Sequence, residues 1–474
     1  MAERIEAIVR ELRAEVDQLR KEIERLLAEN DRLRSENASL QAQLEEAQRT
    51  AARQAAPFRR REAKKVPPGE KKRPGRPKGH PGVHREIPGH VDEHIDVPLD
   101  GCPKCGGAVD GVAEREQFIE EIPVVRPRVT RLVTYHGHCP NCGEDVASSH
   151  PLKMSEAEGA AKVQLGPRAI ALAIFLNKQL GLTTRATCRA LRHLTGLKAS
   201  PGGLFTAMSR AAGKHESSYQ NLIETLRGSP AVFADETSWY VGGPKWWLWV
   251  FTNAETTAYV VDPNRSARVA SEVLGPDFLG TLISDCLAAY ESLPYKKHKC
   301  IAHHLKAIAK ARERPDTPNP EYLHRWVSFF QMVIGLWRAG PSMAKAAFEE
   351  VRGGLESWRD RLLAEPITQP GDISVRNRLD KRRDEILGCL YEPAAEPTNN
   401  RAERALRPAV IARKASCGNK TEAGKRCFEI LASLAATCAQ RGHDFIAWLA
   451  DSLPLCAEAA PIPPRVGVAP SPTR

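Results

Sequence analysis

The first regular feature of the chain is a seven-residue repeat. Ile5, Leu12, Leu19, Leu26, Leu33 and Leu40 recur at one position, interleaved with Val9, Val16, Ile23, Asn30, Asn37 and Leu44 at a second. A 3.5-residue spacing kept over so many turns predicts a coiled coil over residues 1–50, because only a supercoiled helix holds such a seam against a partner. Branched residues at the a positions with leucine at d favour a parallel homodimer, and Asn30 and Asn37 in the seam set its register. The period then stops. Residues 51–90 have no hydrophobic repeat and carry Pro67, Pro68, Pro74, Pro77 and Pro81, the composition of an extended tether.

Periodicity resumes in other forms. Residues 91–152 contain two strand-like runs, 117–122 and 129–135. Residues 160–228 are helical in pattern, with Ile170, Ala173, Ile174 and Leu176 on one face and Leu191, Leu194, Leu204 and Met208 on later segments. Within them, 183–194, a Thr195-Gly196 turn, and 200–212 with Ser200 as N-cap and Pro201 in the first turn fit a helix-turn-helix and an ordinary helical bundle equally well. The period then shortens to that of strands at 231–237, 245–252 and 257–262, followed by a helical stretch at 267–274 and an apolar strand at 281–285. Three strands, a helix and a fourth strand are the order of a ribonuclease H-like domain. That order makes Asp235 the end of the first strand and Asp285 the end of the fourth, lying beside it. Residues 293–395 read as an all-helical insertion, with Trp326, Phe329, Phe330, Val333 and Trp337 on one apolar face. The core, begun at 229–292, resumes at 396–442, and 443–474 form a short terminal segment.

Length supports this division, since 474 residues exceed what one hydrophobic core usually serves. No apolar run approaches the roughly 20 residues that cross a bilayer, and the amino terminus lacks an apolar signal segment, so a soluble, cytoplasmic protein with no membrane attachment is expected. Charge sharpens the picture of the tether. Of a net charge of +11, most of the excess lies in Arg53, Arg59 to Arg61, Lys64, Lys65, Lys71 to Arg73, Arg76 and Lys78, against Glu62 and Glu70. Such a segment suits nucleic acid, and on charge alone it suits a solvated tail as well. Inside it, Pro74-Gly-Arg-Pro-Lys-Gly79 resembles the short hooks that lay an arginine in an A·T-rich minor groove, which makes Arg73, Arg76 and Lys78 candidate DNA contacts.

Cysteine usage adds a metal. Of 12 cysteines, four form two tight knuckles, Cys102-Pro-Lys-Cys105-Gly-Gly and Cys139-Pro-Asn-Cys142-Gly. Four thiolates close a tetrahedron around zinc, and the closed set makes the ion structural, in a small zinc ribbon. Paired knuckles outweigh a redox reading, and beside four thiols His136 and His138 read as surface residues.

The carboxylates come last. Asp235 and Asp285 at adjacent strand ends can share one metal, and the third carboxylate is Glu403, at the start of a helix capped by Asn399 or Asn400. Arg404, Arg407, Arg413 and Lys414 follow it and suit DNA phosphates. Magnesium, or manganese, prefers such oxygen ligands, and two ions about 3.5–4 Å apart activate an attacking oxygen and stabilise a leaving one. His303 and His304, close after Cys300, are read either as DNA or metal contacts or as structural residues. Singly each acidic residue is as well explained as a cap or a solvated charge; together they are not.

At these residues the chain resembles a known family. The stretches Phe233-Ala-Asp-Glu-Thr237, Lys245-Trp-Trp-Leu-Trp249, Asp262-Pro-Asn-Arg265, Leu279-Gly-Thr-Leu-Ile-Ser-Asp285, Cys300-Ile-Ala-His303 and Asn399-Asn-Arg-Ala-Glu-Arg-Ala-Leu-Arg-Pro408 look like those of the insertion-sequence-66 transposases, and so does the order of modules over nearly the whole chain. The resemblance implies a DDE transposase of double-stranded DNA, with Asp235, Asp285 and Glu403 binding metal and zinc in the amino-terminal part. Thr398 stands where many relatives have Asp, and Cys286 where Gly is usual; neither removes a carboxylate of the triad. The expected fold is a multidomain α/β protein: coiled coil, zinc ribbon, helical DNA-binding segment, and a ribonuclease H-like core with a helical insertion. The competing reading is a zipper-dimerised, zinc-binding regulator of DNA whose carboxylates are structural.

Overall fold

The computed structural model describes residues 85–155, 163–317, 320–454 and 456–465, with scattered helical positions between 18 and 36. At the described zipper positions the seam residues Leu19, Ile23, Leu26 and Leu33 are helical and about half exposed. The candidate DNA contacts Arg73, Arg76 and Lys78 lie outside the described residues. The chain divides into two compact units, Met1–Glu120 and Glu121–Arg474. That boundary falls between the two cysteine knuckles, inside the segment 91–152 that the sequence assigns to one module.

Each knuckle is a tight turn closed by two backbone hydrogen bonds. In the first unit Cys102 N–H donates to Gly107 O at 2.9 Å and Gly106 N–H to Cys102 O at 2.8 Å. In the second, Cys139 N–H donates to Glu144 O and Gly143 N–H to Cys139 O, both at 2.9 Å. Gly106 and Gly143 have φ of 74° and 72°, a left-handed conformation that glycine adopts without strain. A short antiparallel hairpin, β1 (His136–His138) and β2 (Asp145–Ala147), flanks the second knuckle. The strands expected at 117–122 and 129–135 do not form. Ile119, Ile122, Val124 and Val129 are exposed there, and an apolar alternation becomes a strand only with a ladder partner and a layer to cover it.

The larger unit is organised by five further strands: β3 (Ala231–Tyr240), β4 (Lys245–Thr252), β5 (Thr257–Asp262), β6 (Thr281–Ser284) and β7 (Lys296–Lys299), in the order β5-β4-β3-β6-β7. β3, β4 and β5 are antiparallel neighbours, while β6 runs parallel to β3, and β7 to β6. The first four strands and the helix Ala267–Leu274 stand where the periodicity puts them. β7 corrects the reading of 293–395 as wholly helical. Its sequence, Lys-Lys-His-Lys, shows no apolar alternation, yet His298 and Lys299 are fully buried in the sheet.

Side chains alternate across the sheet into two cores. Val232, Ala234, Trp249, Phe251 and Leu282 belong to one; Ala231, Phe233, Leu248, Val250 and Ile283 belong to the other. The first is shared with the helices Pro167–Ile174, Pro201–Lys214 and Glu216–Arg227, so the helical segment 160–228 is a layer of this core. Its capping is as read: Ser200 Oγ accepts from Gly203 N–H at 3.1 Å, with Pro201 at the first position. The second core is shared with Ile301–Arg312, Glu321–Ala339 and Asn400–Ser416, and the apolar face of Trp326, Phe329, Phe330 and Val333 is buried in it.

A further helix, Glu422–Arg441, seals the edge strand. Thr257, Tyr259 and Val261 of β5 donate their backbone N–H groups to Thr437 Oγ1 at 3.1 Å, Ser433 Oγ at 2.9 Å and Glu429 Oε1 at 2.7 Å. Two residues along a strand and four along a helix advance by about 6–7 Å each, so one helical face matches the free ladder positions in turn. A sheet edge that would otherwise pair with another chain is thereby closed. Replacing Ser433 by Ala leaves the buried Tyr259 N–H without an acceptor, and the unit is expected to lose about 1–3 kcal/mol of stability, read from its denaturant midpoint. An unchanged midpoint would contradict the sealing role.

Candidate active site

β3 and β6 are paired only at Ala231, Val232 and Phe233, against Thr281, Leu282 and Ile283. β6 ends at Ser284, whereas β3 runs on to Tyr240 along β4 alone. The sheet therefore opens on one side of β3 at Ala234. Asp235 does not end its strand, as the sequence suggested; it sits within β3 opposite Val250, and the termination of β6 makes the opening beside it. Asp285 follows directly on the last residue of β6. Asp235 shares the strand parity of Ala231 and Phe233, whose side chains face the core shared with the helix Asn400–Ser416. Glu403 lies in the first turn of that helix, and Ala402, Leu406 and Ala409 anchor it in the core.

A run of hydrogen bonds joins the three segments. Asn399, fully buried, donates its side-chain Nδ2 to Ala234 O at 2.8 Å and its backbone N–H to Cys300 Sγ at 3.1 Å. Cys300 N–H donates to Ser284 O at 2.9 Å, Ile301 N–H to Pro397 O at 2.9 Å, and Glu403 N–H to Asn399 O at 3.1 Å. Ala234 and Ser284 immediately precede Asp235 and Asp285, so the backbone of all three carboxylates is held through Asn399 and Cys300. A His298 ring nitrogen lies 3.2 Å from Pro397 O and fixes the same loop to β7.

Each aspartate has one oxygen tied to its own backbone: Asp235 Oδ1 accepts from Glu236 N–H at 2.9 Å and Asp285 Oδ1 from Leu287 N–H at 2.8 Å. Burial raises the Asp235 carboxyl to about 7, and the neighbouring charge of Glu236 pushes the same way, as do Asp285 and Glu403; the Glu236 N–H opposes them. Asp285 and Glu403 thus both lie within electrostatic reach of Asp235. Oxygen donors crowded in this way match a hard divalent cation. Among the described residues, no group of three or more His, Cys, Asp or Glu is gathered into a ligand set as it stands. That holds for the triad. Backbone N–H groups of the knuckles lower the thiol pKa of Cys102 and Cys139, which favours the thiolate a metal needs.

The opposite parity places Glu236 on the other face of β3. There it accepts from Arg265 Nε at 3.0 Å and Nη2 at 2.6 Å, and from Tyr290 OH at 2.7 Å, while the Arg265 guanidinium lies 4.5 Å from the centre of the Trp247 ring. Sequence reasoning missed Glu236, Tyr290 and the bridging role of Asn399. Strand parity was the available signal for Glu236. Of the predicted cations, Arg404, Arg407 and Lys414 are exposed. Arg413 is half-buried and donates Nη1 to Thr237 Oγ1 at 3.0 Å and Ser238 Oγ at 2.7 Å, an anchor between its helix and β3. His304 is buried against Phe330, ring centres 5.6 Å apart, which favours the structural reading of that residue.

Crowding of like charge costs stability. Asp235→Asn keeps the acceptor for Glu236 N–H and removes the charge, so at pH 8 the metal-free protein is expected to melt roughly 2–4 °C higher, the shift that about 1 kcal/mol produces. A lower melting temperature would mean that the carboxylate is a structural group.

Residues 162–426 match the model of the transposase IS66 family, a stretch that runs from the first helical layer through both aspartates and Glu403. "Uncharacterized protein y4qI" of Sinorhizobium fredii (strain NBRC 101917 / NGR234) is 26% identical over 282 residues, 51% of this chain and 50% of that one, so the match spans half the length of that relative. "Uncharacterized protein y4jD" of the same organism is 25% identical over 420 residues, 77% of each chain. With the family's model covering more than half of its length, including every element that carries the candidate carboxylates, the chain belongs to the transposase IS66 family.

Proposed function

We propose that the chain binds the ends of an insertion sequence and catalyses metal-dependent DNA strand cleavage and strand transfer through Asp235, Asp285 and Glu403. The observation that carries this reading is the hydrogen-bonded run through Asn399 and Cys300, which holds the backbone of all three carboxylates at one open end of the sheet. When bound, two magnesium or manganese ions would neutralise charge on the attacking and leaving oxygens of a phosphodiester. Asp235, Asp285 and Glu403 would hold them. Water would attack the phosphorus at the element's end, and the leaving 3′ oxygen would depart as a hydroxyl; that hydroxyl would then attack a phosphodiester of the target, joining the element's 3′ end to the target's 5′ phosphate and displacing the target's 3′ oxygen, which takes up the proton and leaves as a hydroxyl.

The rest of the chain serves the same end. Glu236, held by Arg265 and Tyr290, stiffens β3 next to Asp235 and keeps its own charge on the far face. Arg404, Arg407 and Lys414, exposed along the Glu403 helix, suit DNA phosphates near the carboxylates. Arg73, Arg76 and Lys78 would anchor the tether to DNA, Cys102, Cys105, Cys139 and Cys142 would bind a structural zinc ion, and residues 1–50 would pair two copies so that two element ends are brought together.

Two experiments test this reading. Asp285→Asn should abolish magnesium-dependent cleavage of labelled element ends while retaining their binding; cleavage at the wild-type rate would sink the mechanism. Deletion of residues 1–50 should convert the dimer into a monomer by light scattering and weaken the pairing of ends. A truncated protein that remains dimeric would refute the zipper's role.

A further inference from the structure

A cleft of about 350 Å³ opens between the Glu403 helix and the edge-sealing helix Glu422–Arg441, with Thr257 and Tyr259 of β5 at its base. Lys178, Arg401 and Arg404 line it, with no carboxylate among its lining residues. Arg401 is paired with Glu396 and lies over the Phe233 ring. Lys178 and Arg404 make no ion pair among the described residues, so two positive charges face the cleft uncompensated. A larger cavity of about 600 Å³ beside β7 differs in this respect, since Lys296 and Lys297 are matched there by Asp384, Glu385 and Glu392.

The local structure is built to present these groups. The helix Pro167–Ile174 widens at its end into a five-residue π turn, Phe175–Gln179, which carries Lys178 and Gln179 to the cleft. Such turns are rare and concentrate at functional sites. Lys178 Nζ sits 5.6 Å from the centre of the Phe428 ring, and the Gln179 side-chain oxygen is buried with no hydrogen-bond partner. The floor is small and apolar, with Ala409, Ala432, Ala436 and Ala439 contributed by the two helices. Arg404 is the residue next to Glu403.

From this arrangement we infer that the cleft binds one nucleotide of a DNA strand, its phosphodiester on Lys178 and Arg404 and its base on the alanine floor beside Gln179. The inference rests on the DNA-processing reading above and adds to it a strand-holding site adjoining Glu403. A cationic lining with an apolar floor recognises nucleotides without regard to sequence, since every base has an apolar face and every link a charge.

The test uses the full chain and a fluorescein-labelled single-stranded oligodeoxynucleotide, with affinity followed by anisotropy over a series of salt concentrations. The double variant Lys178→Gln, Arg404→Gln should bind about tenfold more weakly, and its slope of log affinity against log salt should fall by about 1.4, two charges at about 0.7 each. Ala436→Leu, which fills the floor, should weaken binding and leave that slope unchanged. An unaltered slope in the double variant overturns the site. Equal weakening of a blunt duplex by Ala436→Leu overturns the assignment of the floor to an unpaired base. The result is independent of catalysis: if Asp285→Asn still cleaves, the catalytic reading fails while the salt slope continues to report on the cleft.

Discussion

Asn399 is the joint on which the larger unit depends. Its carboxamide reaches across 165 positions of sequence to the carbonyl of Ala234, and its backbone N–H reaches the sulfur of Cys300. The partners are dictated by an unfinished sheet. Where β6 stops, β3 has a carbonyl with no ladder partner, and a buried carbonyl must be satisfied. A side chain from a distant helix start meets that need and, in doing so, sets Glu403 one turn from the bond. The opening that exposes Asp235 and the contact that brings in its third partner therefore have one cause.

The same opening concentrates charge. Asp235 is half-buried, flanked along the strand by Glu236 and within electrostatic reach of Asp285 and Glu403, and its carboxyl is raised far above the ordinary carboxylate range. A fold selected only for stability would not gather these groups. Around them the protein spends its other polar contacts on rigidity: Arg265 and Tyr290 satisfy Glu236 on the far face, and Arg413 ties the Glu403 helix to Thr237 and Ser238. At the outer edge of the sheet, Glu429, Ser433 and Thr437 close β5. The uncompensated cations that remain, on the Glu403 helix and the π turn, face outward or into the adjoining cleft.

Much of this was legible along the chain because it is local. The seven-residue repeat, the change to strand periodicity at Ala231, the cap at Ser200, and the turn chemistry of each Cys-x-x-Cys-Gly knuckle depend on neighbours a few residues apart, so residue types and spacing suffice. The family motifs around Asp235, Asp285 and Glu403 are likewise short, and Asp285 and Glu403 both lie within electrostatic reach of Asp235.

What only the tertiary structure decided is non-local. That Lys296–Lys299 is a strand follows from an open ladder position beside β6, which no alternation in its own residues could announce. That the runs near Ile119 and Val129 are not strands follows from the lack of a layer to cover them. The helical segment 160–228 shares a core with the sheet, Asp235 lies mid-strand, and Asn399 and Glu236 act as supports, because burial and hydrogen-bond partners are set by what arrives from elsewhere in the chain. Sequence determined most of the local elements and the chemistry they carry; packing determined which of those groups meet, since meetings such as Asn399 with Ala234 and Glu429 with Val261 close loops of more than 160 residues that no local pattern encodes.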